Sequence, residues 1–226
     1  MSETIITVTG FAEKHHAPER ATVTLGLAFD GPDRAEVFEL TRALHAETSE
    51  ALRALHDPIS DAVTRWKADQ VNVWAERPWS QDGAQLPLVY HASASVTARF
   101  RDFASLASWV ERTALRDGVT VHSVEWSLTS STRSTLTADA QQDAIGAAVS
   151  KARVFAEALG LSTVRATAVA DPGMLGHPAD ASAPLERASS MHAMMKASDG
   201  RASALDLTPA DVVISALVEA RFEATA

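Results

Sequence analysis

The spacing of apolar residues changes repeatedly between a period of two and a period of three to four along this chain. In residues 86–100 apolar and polar side chains alternate over most of the segment, which predicts a strand with one buried and one solvated face. From Asp33 to Asp57 the apolar spacing is three to four with charged residues between, which predicts an amphipathic helix. Segments of both kinds in one chain predict an α+β fold, with long amphipathic helices packed on a largely antiparallel sheet.

The same two periods locate the remaining elements. Strands are predicted at residues 5–11, 21–29, 66–75, 119–128, 163–170 and 212–222, and helices begin at Asp102 and at Ser134. Asp102 is a typical N-cap residue, and Gly160 occupies the C′ position after the helix of residues 134–159.

Two details of this pattern make sharper predictions. The apolar parity of residues 119–128 changes at His122-Ser123, which predicts a β-bulge there. The helix of residues 134–159 carries apolar residues at spacings of three and four, which predicts that they form its buried face. These residues are Ile145, Ala148, Ala152, Phe155 and Leu159.

Length and composition indicate a globular protein of one large or two small domains, and we interpret residues 1–226 as a single domain. The chain has 226 residues, with 46% hydrophobic and 22% charged residues, close to globular averages. Residues 171–211 are rich in Pro, Gly, Ser, Ala and Met and have neither period, so that we expect a mobile loop inserted in the domain.

Charge and hydropathy restrict the partners and the compartment. Lys and Arg total 20 against 29 Asp and Glu, and the net charge of -9 repels phosphate backbones, so that no nucleic acid is expected as partner. No run of apolar residues reaches the roughly 18 needed to span a bilayer, which predicts a soluble protein without direct membrane insertion. The N-terminus lacks a signal-peptide pattern, which predicts a cytoplasmic protein, or a periplasmic one if a leader has been removed.

Motifs for catalysis and cofactors are missing from the sequence. There is no cysteine, no glycine-rich nucleotide loop, and no G-x-S-x-G motif around the hydroxyl-rich residues 127–135. Glutamate pairs such as Glu36 and Glu39, or Glu47 and Glu50, alternate with arginines as on a solvated helix face. We therefore expect no enzyme activity, no catalytic residues and no cofactor.

Two groups of residues are weak candidates for metal binding. His15 and His16 are adjacent in a strand and point to opposite faces, so they cannot readily share a metal ion. Thioethers and an imidazole suit Cu(I), which makes the Met/His segment the stronger of the two candidates. The favoured interpretation of this segment is nevertheless an apolar loop that docks on its own domain or on a neighbouring subunit. Its residues are Met191, His192, Met194 and Met195.

Three tryptophans fall in one predicted hairpin. Trp66 and Trp74 share strand parity, and Trp79 follows in the turn-like segment of residues 77–83. Most tryptophans are core residues, but an aromatic side chain at an exposed tip is a common anchor of protein interfaces. Trp79 and Trp74 are therefore the predicted contact residues of a homo-oligomer.

Five segments taken together resemble the SIMPL-domain family. They are ITVTG at residues 6–10, APERATVTLG at 17–26, the strand from Tyr90 to Asp102, the helix AIGAAVSKARVFAEALG at 144–160, and the last strand from Pro209 to Phe222. Glu19 replaces the usual aspartate, Ala12 the second glycine, and Ala210-Asp211 the usual Gly-Glu.

The resemblance implies an α+β fold and a function without chemistry. Family members are mainly bacterial, many are periplasmic, some form ring or channel-like oligomers, and several are linked to oxidative stress. It thus implies a non-catalytic, self-assembling protein that is stress-associated. The alternative hypothesis is a small-ligand or copper-binding module that uses the Met/His segment.

Overall fold

The structure is a computed structural model and describes residues 3–57, 62–79, 85–176 and 208–226. Within these ranges the helices are α1 (Arg34–Ala54), α2 (Phe103–Ala114) and α3 (Ser130–Ala158). The strands are β1 (Thr4–His16), β2 (Arg20–Gly31), β3 (Val63–Ala68), β4 (Asn72–Glu76), β5 (Val89–Phe100), β6 (Val119–Ser127), β7 (Thr163–Ala170) and β8 (Val212–Thr225). This content confirms the predicted α+β class.

The described residues form two compact units, each with its own sheet. One unit contains the described parts of Ala17–Thr129 and Leu207–Val212, with the larger sheet of order β3-β5-β2-β6 and with β4 also paired to β5. The other contains the described parts of Met1–His16, Ser130–Asp206 and Val213–Ala226, with the smaller sheet of order β1-β8-β7. One domain over residues 1–226, with an insertion at 171–211, stays a prediction, and residues 177–207 lie outside the described ranges.

The larger sheet buries one face under α1 and α2. Its pairings β2–β5, β2–β6, β3–β5 and β4–β5 are antiparallel, as predicted. Alternate residues of β2 and β5 enter the core together with Leu52 of α1 and with Leu106, Trp109 and Val110 of α2. Phe100 lies against Trp109 with ring centroids 5.5 Å apart. Large apolar side chains therefore fill the space between this sheet and its helices.

The predicted bulge is confirmed in β6. Thr24 pairs with Ser123 and Leu25 pairs with Val121, so that His122 is the extra residue. Its imidazole lies against Gly26 of β2, where any side chain would collide with it. The bulge explains why the apolar parity of β6 changes at this position.

Helix ends also follow the sequence signals. Asp33 and Asp102 are the N-caps of α1 and α2, and each carboxylate accepts hydrogen bonds from two backbone N–H groups of the first turn. After α3 the backbone of Gly160 has φ 72°, and the N–H of Leu161 donates to the carbonyl of Ala156 at 2.9 Å. The predicted C′ glycine is therefore confirmed.

The predicted buried face of α3 is confirmed at Ala148 and Ala152 and is wrong at Ile145, Phe155 and Leu159. Phe155 is 45% exposed and Leu159 63% exposed, and the helix instead buries Ala140, Ala144, Ala148, Ala152 and Ala156. This alanine ridge packs in the core of the smaller sheet with Ile6, Val8, Val218 and Phe222. Small side chains let the helix approach β1 closely, and the larger residues are left on its flanks.

The predicted strand of residues 66–75 consists of two strands. Ala68 pairs with Val96 and Asn72 pairs with Ser93, so that β3 and β4 together use one residue more than β5 over this interval. The extra residue reverses the parity. Trp66 therefore packs against the core, whereas Trp74 lies on the opposite face of the sheet, which corrects the prediction that they share a face.

No helix within the described residues is long and apolar enough to cross a membrane.

Candidate functional site

The face of the larger sheet opposite α1 and α2 is the first candidate, and we call it the open face. It carries the polar residues of the alternating strands, because their apolar neighbours enter the core. Along β5 these residues are His91, Ser93, Ser95, Thr97 and Arg99, each half-buried or exposed. Among the described residues of this unit, no helix packs on this face.

One row across the open face brings together an aromatic ring, an imidazole and a carboxylate. Trp74 of β4 pairs with His91 of β5, and His91 pairs with Asp30 of β2. The Trp74 and His91 rings stack with centroids 5.3 Å apart and planes at 20°. His91 Nδ1 lies 2.7 Å from Asp30 Oδ1, and His91 Nε2 lies 3.6 Å from Glu76 Oε1. We call Asp30, Trp74, Glu76 and His91 the histidine cluster.

The second nitrogen of His91 lacks a hydrogen bond within the described structure. Its Nε2 is buried and unpartnered, since 3.6 Å to Glu76 is too long for a hydrogen bond although it is a charge contact. The whole side chain is only 17% exposed. Asp30 and Glu76 thus place two carboxylates beside one imidazole.

The histidine cluster has limited chemical scope. A histidine held by an aspartate can act as a general base, but it must reach the proton that it removes. No hydroxyl is hydrogen-bonded to His91 in the part of the chain that is described. The stacked imidazole lies against the Trp74 ring on the open face.

The predicted contact residues are both at the surface. Trp79 is 80% exposed and Trp74 is 43% exposed. The structure brings Trp74 into the histidine cluster, whereas among the described residues Trp79 makes no ring contact. Their role as oligomer contacts stays a prediction.

The outer face of the smaller sheet is the second candidate, and we call it the apolar face. Its residues are those of β1 and β8 that point away from the core under α3. Four large side chains on it are exposed: Ile5 (56%), Phe11 (53%), Val213 (48%) and Leu217 (40%). Several large apolar residues exposed on one sheet face are typical of contact surfaces.

Charged residues of both signs border the apolar face. Arg165 pairs directly with Glu223 across β7 and β8. Glu219 accepts hydrogen bonds from the N–H groups of Gly173 and Leu175, which holds that turn on the sheet. The pKa of Glu3 is raised because its carboxyl shares a hydrogen bond with Glu223 and also feels the charge of Glu223.

Metal binding gains no support from the described residues. Among them no group of three or more His, Cys, Asp or Glu side chains could hold a metal ion. His15 lies at the end of β1 with its Nε2 3.8 Å from Glu13 Oε2. The Met/His candidates Met191, His192, Met194 and Met195 lie outside the described residues.

Three of the four glutamates singled out on α1 form surface ion pairs within the described structure. Glu39 accepts from Arg42 at 2.7 Å and Glu50 pairs with Arg53, each three residues along the helix. Glu47 pairs with Arg116, which follows α2. These carboxylates are solvated and paired, in keeping with the helix-face interpretation.

Sequence reasoning missed the histidine cluster. Trp74 was singled out, but His91 and Asp30 become its neighbours only through strand register, and Asp30 is 61 residues from His91 in the chain. The alternation of residues 86–100 placed His91 on the solvated face. Pairing that face with the solvated face of β2 would have been the signal that finds Asp30.

A family model described as "SIMPL: Protein of unknown function (DUF541)" matches residues 6–222. No curated protein matches the chain.

Proposed function

The chain belongs to the SIMPL family, whose function is unknown, and from that premise we propose that it is a non-catalytic protein that assembles with copies of itself through the apolar face. The observation that carries this proposal is the exposure of Ile5, Phe11, Val213 and Leu217 on one sheet face. Burying such side chains against another protein surface is favourable by roughly 25 cal/mol for each Å² of apolar area removed from water.

A second copy is the occupant that fits this face. Like-charged rims would oppose association, but Arg165 lies beside Glu223, so that a two-fold related copy can place opposite charges against each other. The net charge of -9 acts only weakly at a distance, because the Debye length at physiological salt is about 8 Å. Trp79 is a second candidate contact, separate from the apolar face.

Light scattering of purified protein tests the proposal. We expect a mass at least twice 24.0 kDa at micromolar concentration. Phe11→Glu places a charge in the apolar face and is expected to reduce the mass to that of one chain, because an unpaired charge is costly in an interface.

Leu115→Glu is the matched control. Leu115 is 84% exposed and follows α2 in the other unit, so the same substitution there should leave the mass unchanged. Trp79→Ala separately tests the aromatic tip and should lower the mass only if that residue is a contact. A single-chain mass for the unmodified protein, or an unchanged mass for Phe11→Glu, would overturn the proposal.

A stress-associated role and the compartment stay predictions from the family resemblance and the N-terminal sequence.

A further inference from the structure

A group of cationic side chains lies on the open face, at the end of β5 that is remote from the histidine cluster. Thr22, Arg65, Lys67, Thr97 and Arg99 line a shallow pocket of about 420 Å³, together with Trp66. His91 and Arg99 are eight positions apart on β5, so that at about 3.3 Å per residue they are about 26 Å apart. The pocket is therefore a separate site, and we call it the cationic pocket.

Strand register forces the two arginines together. Arg65 of β3 is the direct partner of Arg99 of β5, and Thr22 of β2 is the partner of Arg99 on the other side. Lys67 is the partner of Thr97 in the next row. Directly opposed residues have Cβ atoms about 4.5–5.5 Å apart, and like charges at that distance destabilise a sheet.

The described residues do not neutralise this charge. In the described part of the chain neither guanidinium has a hydrogen bond or an ion pair, although the chain carries a net charge of -9. Lys67 has Asp69 at 3.7 Å, an exposed pair of little energetic consequence. Glu125 of β6 is the partner of Thr22 on the far side and forms no ion pair with either arginine among the described contacts.

The donors suit one kind of ligand. Guanidinium groups donate paired hydrogen bonds that match the oxygens of a phosphate, and an ammonium and two hydroxyls supply further donors. From this arrangement we propose that the cationic pocket binds a small tetrahedral oxyanion, either inorganic phosphate or a phosphate monoester. A nucleic acid strand fits poorly, because the charge of -9 repels a long polyanion while a local dianion meets only the pocket.

Calorimetric titration with inorganic phosphate tests the proposal, with ionic strength held constant by sodium chloride. Saturable binding is expected, and Arg99→Gln should weaken it about tenfold or more, because each charge-assisted hydrogen bond contributes substantially. Arg65→Gln should act in the same direction. Arg153→Gln on α3, an exposed arginine of the other unit, should leave the affinity unchanged.

Thermal unfolding in phosphate-free buffer separates lost binding from lost folding. Removing one of two opposed cations should leave the melting temperature unchanged or raise it, and only the unmodified protein and Arg153→Gln should gain stability on adding phosphate. Absence of saturable phosphate binding, or equal affinity in Arg99→Gln and the unmodified protein, would overturn the proposal. Titration with a phosphate monoester under the same conditions then shows whether the pocket accepts a substituent.

Discussion

In the unit of the larger sheet the core contains Phe100, Trp109 and several leucines, whereas every buried residue that α3 contributes to the other unit is an alanine. Both units pack a helix on a sheet. In one, large side chains fill a wide gap, and in the other, small side chains let the two backbones come close. The comparison shows that the largest apolar residues of a helix need not mark its buried face.

Gly10 explains why α3 buries its alanine ridge rather than its larger apolar residues. It lies on the buried face of β1, and a Cβ built there would overlap the carbonyl of Ala144 and come within 2.7 Å of the N of Ala148. A helix turned to bury Phe155 would be held away from this glycine and would leave a gap beside it. Close packing of backbone atoms favours the alanine face.

The largest expected effect is a cavity in the core that depends on large side chains. Phe100 is fully buried, so Phe100→Ala should lower the free energy of unfolding by about 3–5 kcal/mol. Phe155→Ala removes the same ring from a position that is 45% exposed and should cost about 0.5 kcal/mol or less. Urea unfolding measures both. Equal losses would mean that α3 does bury Phe155 and that the comparison of the two cores fails.

The opposite substitution should disturb the close-packed unit. Gly10→Ala adds one methyl group between β1 and α3, and the overlap should cost about 1–3 kcal/mol. Gly146→Ala is the matched control, because a Cβ there meets nothing within 4 Å and alanine favours the helix by about 1 kcal/mol. Calorimetry should thus show melting temperatures that move in opposite directions. If the chain is one domain, Gly10→Ala and Phe100→Ala should shift a single transition.

The smallest expected effect is the pH dependence of the stability that Asp102 contributes. The pKa of Asp102 is lowered, mainly because the Ser105 hydroxyl donates to its carboxylate, with further bonds from the N–H groups of Ala104 and Ser105. A lowered folded-state pKa means that its stabilisation is present above the ordinary value of 3.8 and is lost as the pH falls through the folded value. Asp102→Ala should cost about 1 kcal/mol at pH 7 and less at pH 3.

Asp102→Asn distinguishes the cap from the charge. Asparagine caps a helix about as well but does not titrate, so this variant should keep most of the stability at pH 7 and lose less on acidification. A loss of stability for Asp102→Ala that does not change with pH would contradict the role of the Asp102 charge.

The smaller sheet should respond to pH in the other direction. The raised pKa of Glu3 contributes stability below its ordinary value of 4.5, and that contribution is lost as the pH rises through the folded value.

Local features of the fold could be predicted from the sequence, because they depend on residues close together in the chain. The caps at Asp33 and Asp102, the glycine after α3 and the bulge at His122 all follow from a few neighbouring residues. The buried face of α3 could not, because it depends on Gly10, far away in the chain. The large apolar residues predicted that Phe155 is buried, whereas the buried face is set by how closely the backbones of α3 and β1 approach each other.

The candidate sites depend even more on strand register. The alternation in residues 86–100 predicted which residues of β5 are solvated, and the structure confirms that face. It could not predict that Arg65 lies opposite Arg99, since Thr64 is an extra residue in β3, or that Trp74 turns away from Trp66. One added residue moves every later side chain to the other face, and β3, with six residues, is too short for the added Thr64 to show in the apolar pattern.

The alanine ridge has a further consequence for how the chain reaches one native alignment. Its members recur every four residues, so a helix displaced along β1 by one turn presents nearly the same surface to the strand. Apolar burial alone would distinguish such neighbouring alignments poorly, and the chain could dock in several of them. Two local contacts select one alignment. Gly10 fits against the helix backbone only between Ala144 and Ala148, and Lys14 forms an ion pair with Asp143 at 2.5 Å. These contacts prevent α3 from sliding along β1, so that a single glycine sets the position of the whole helix on the strand.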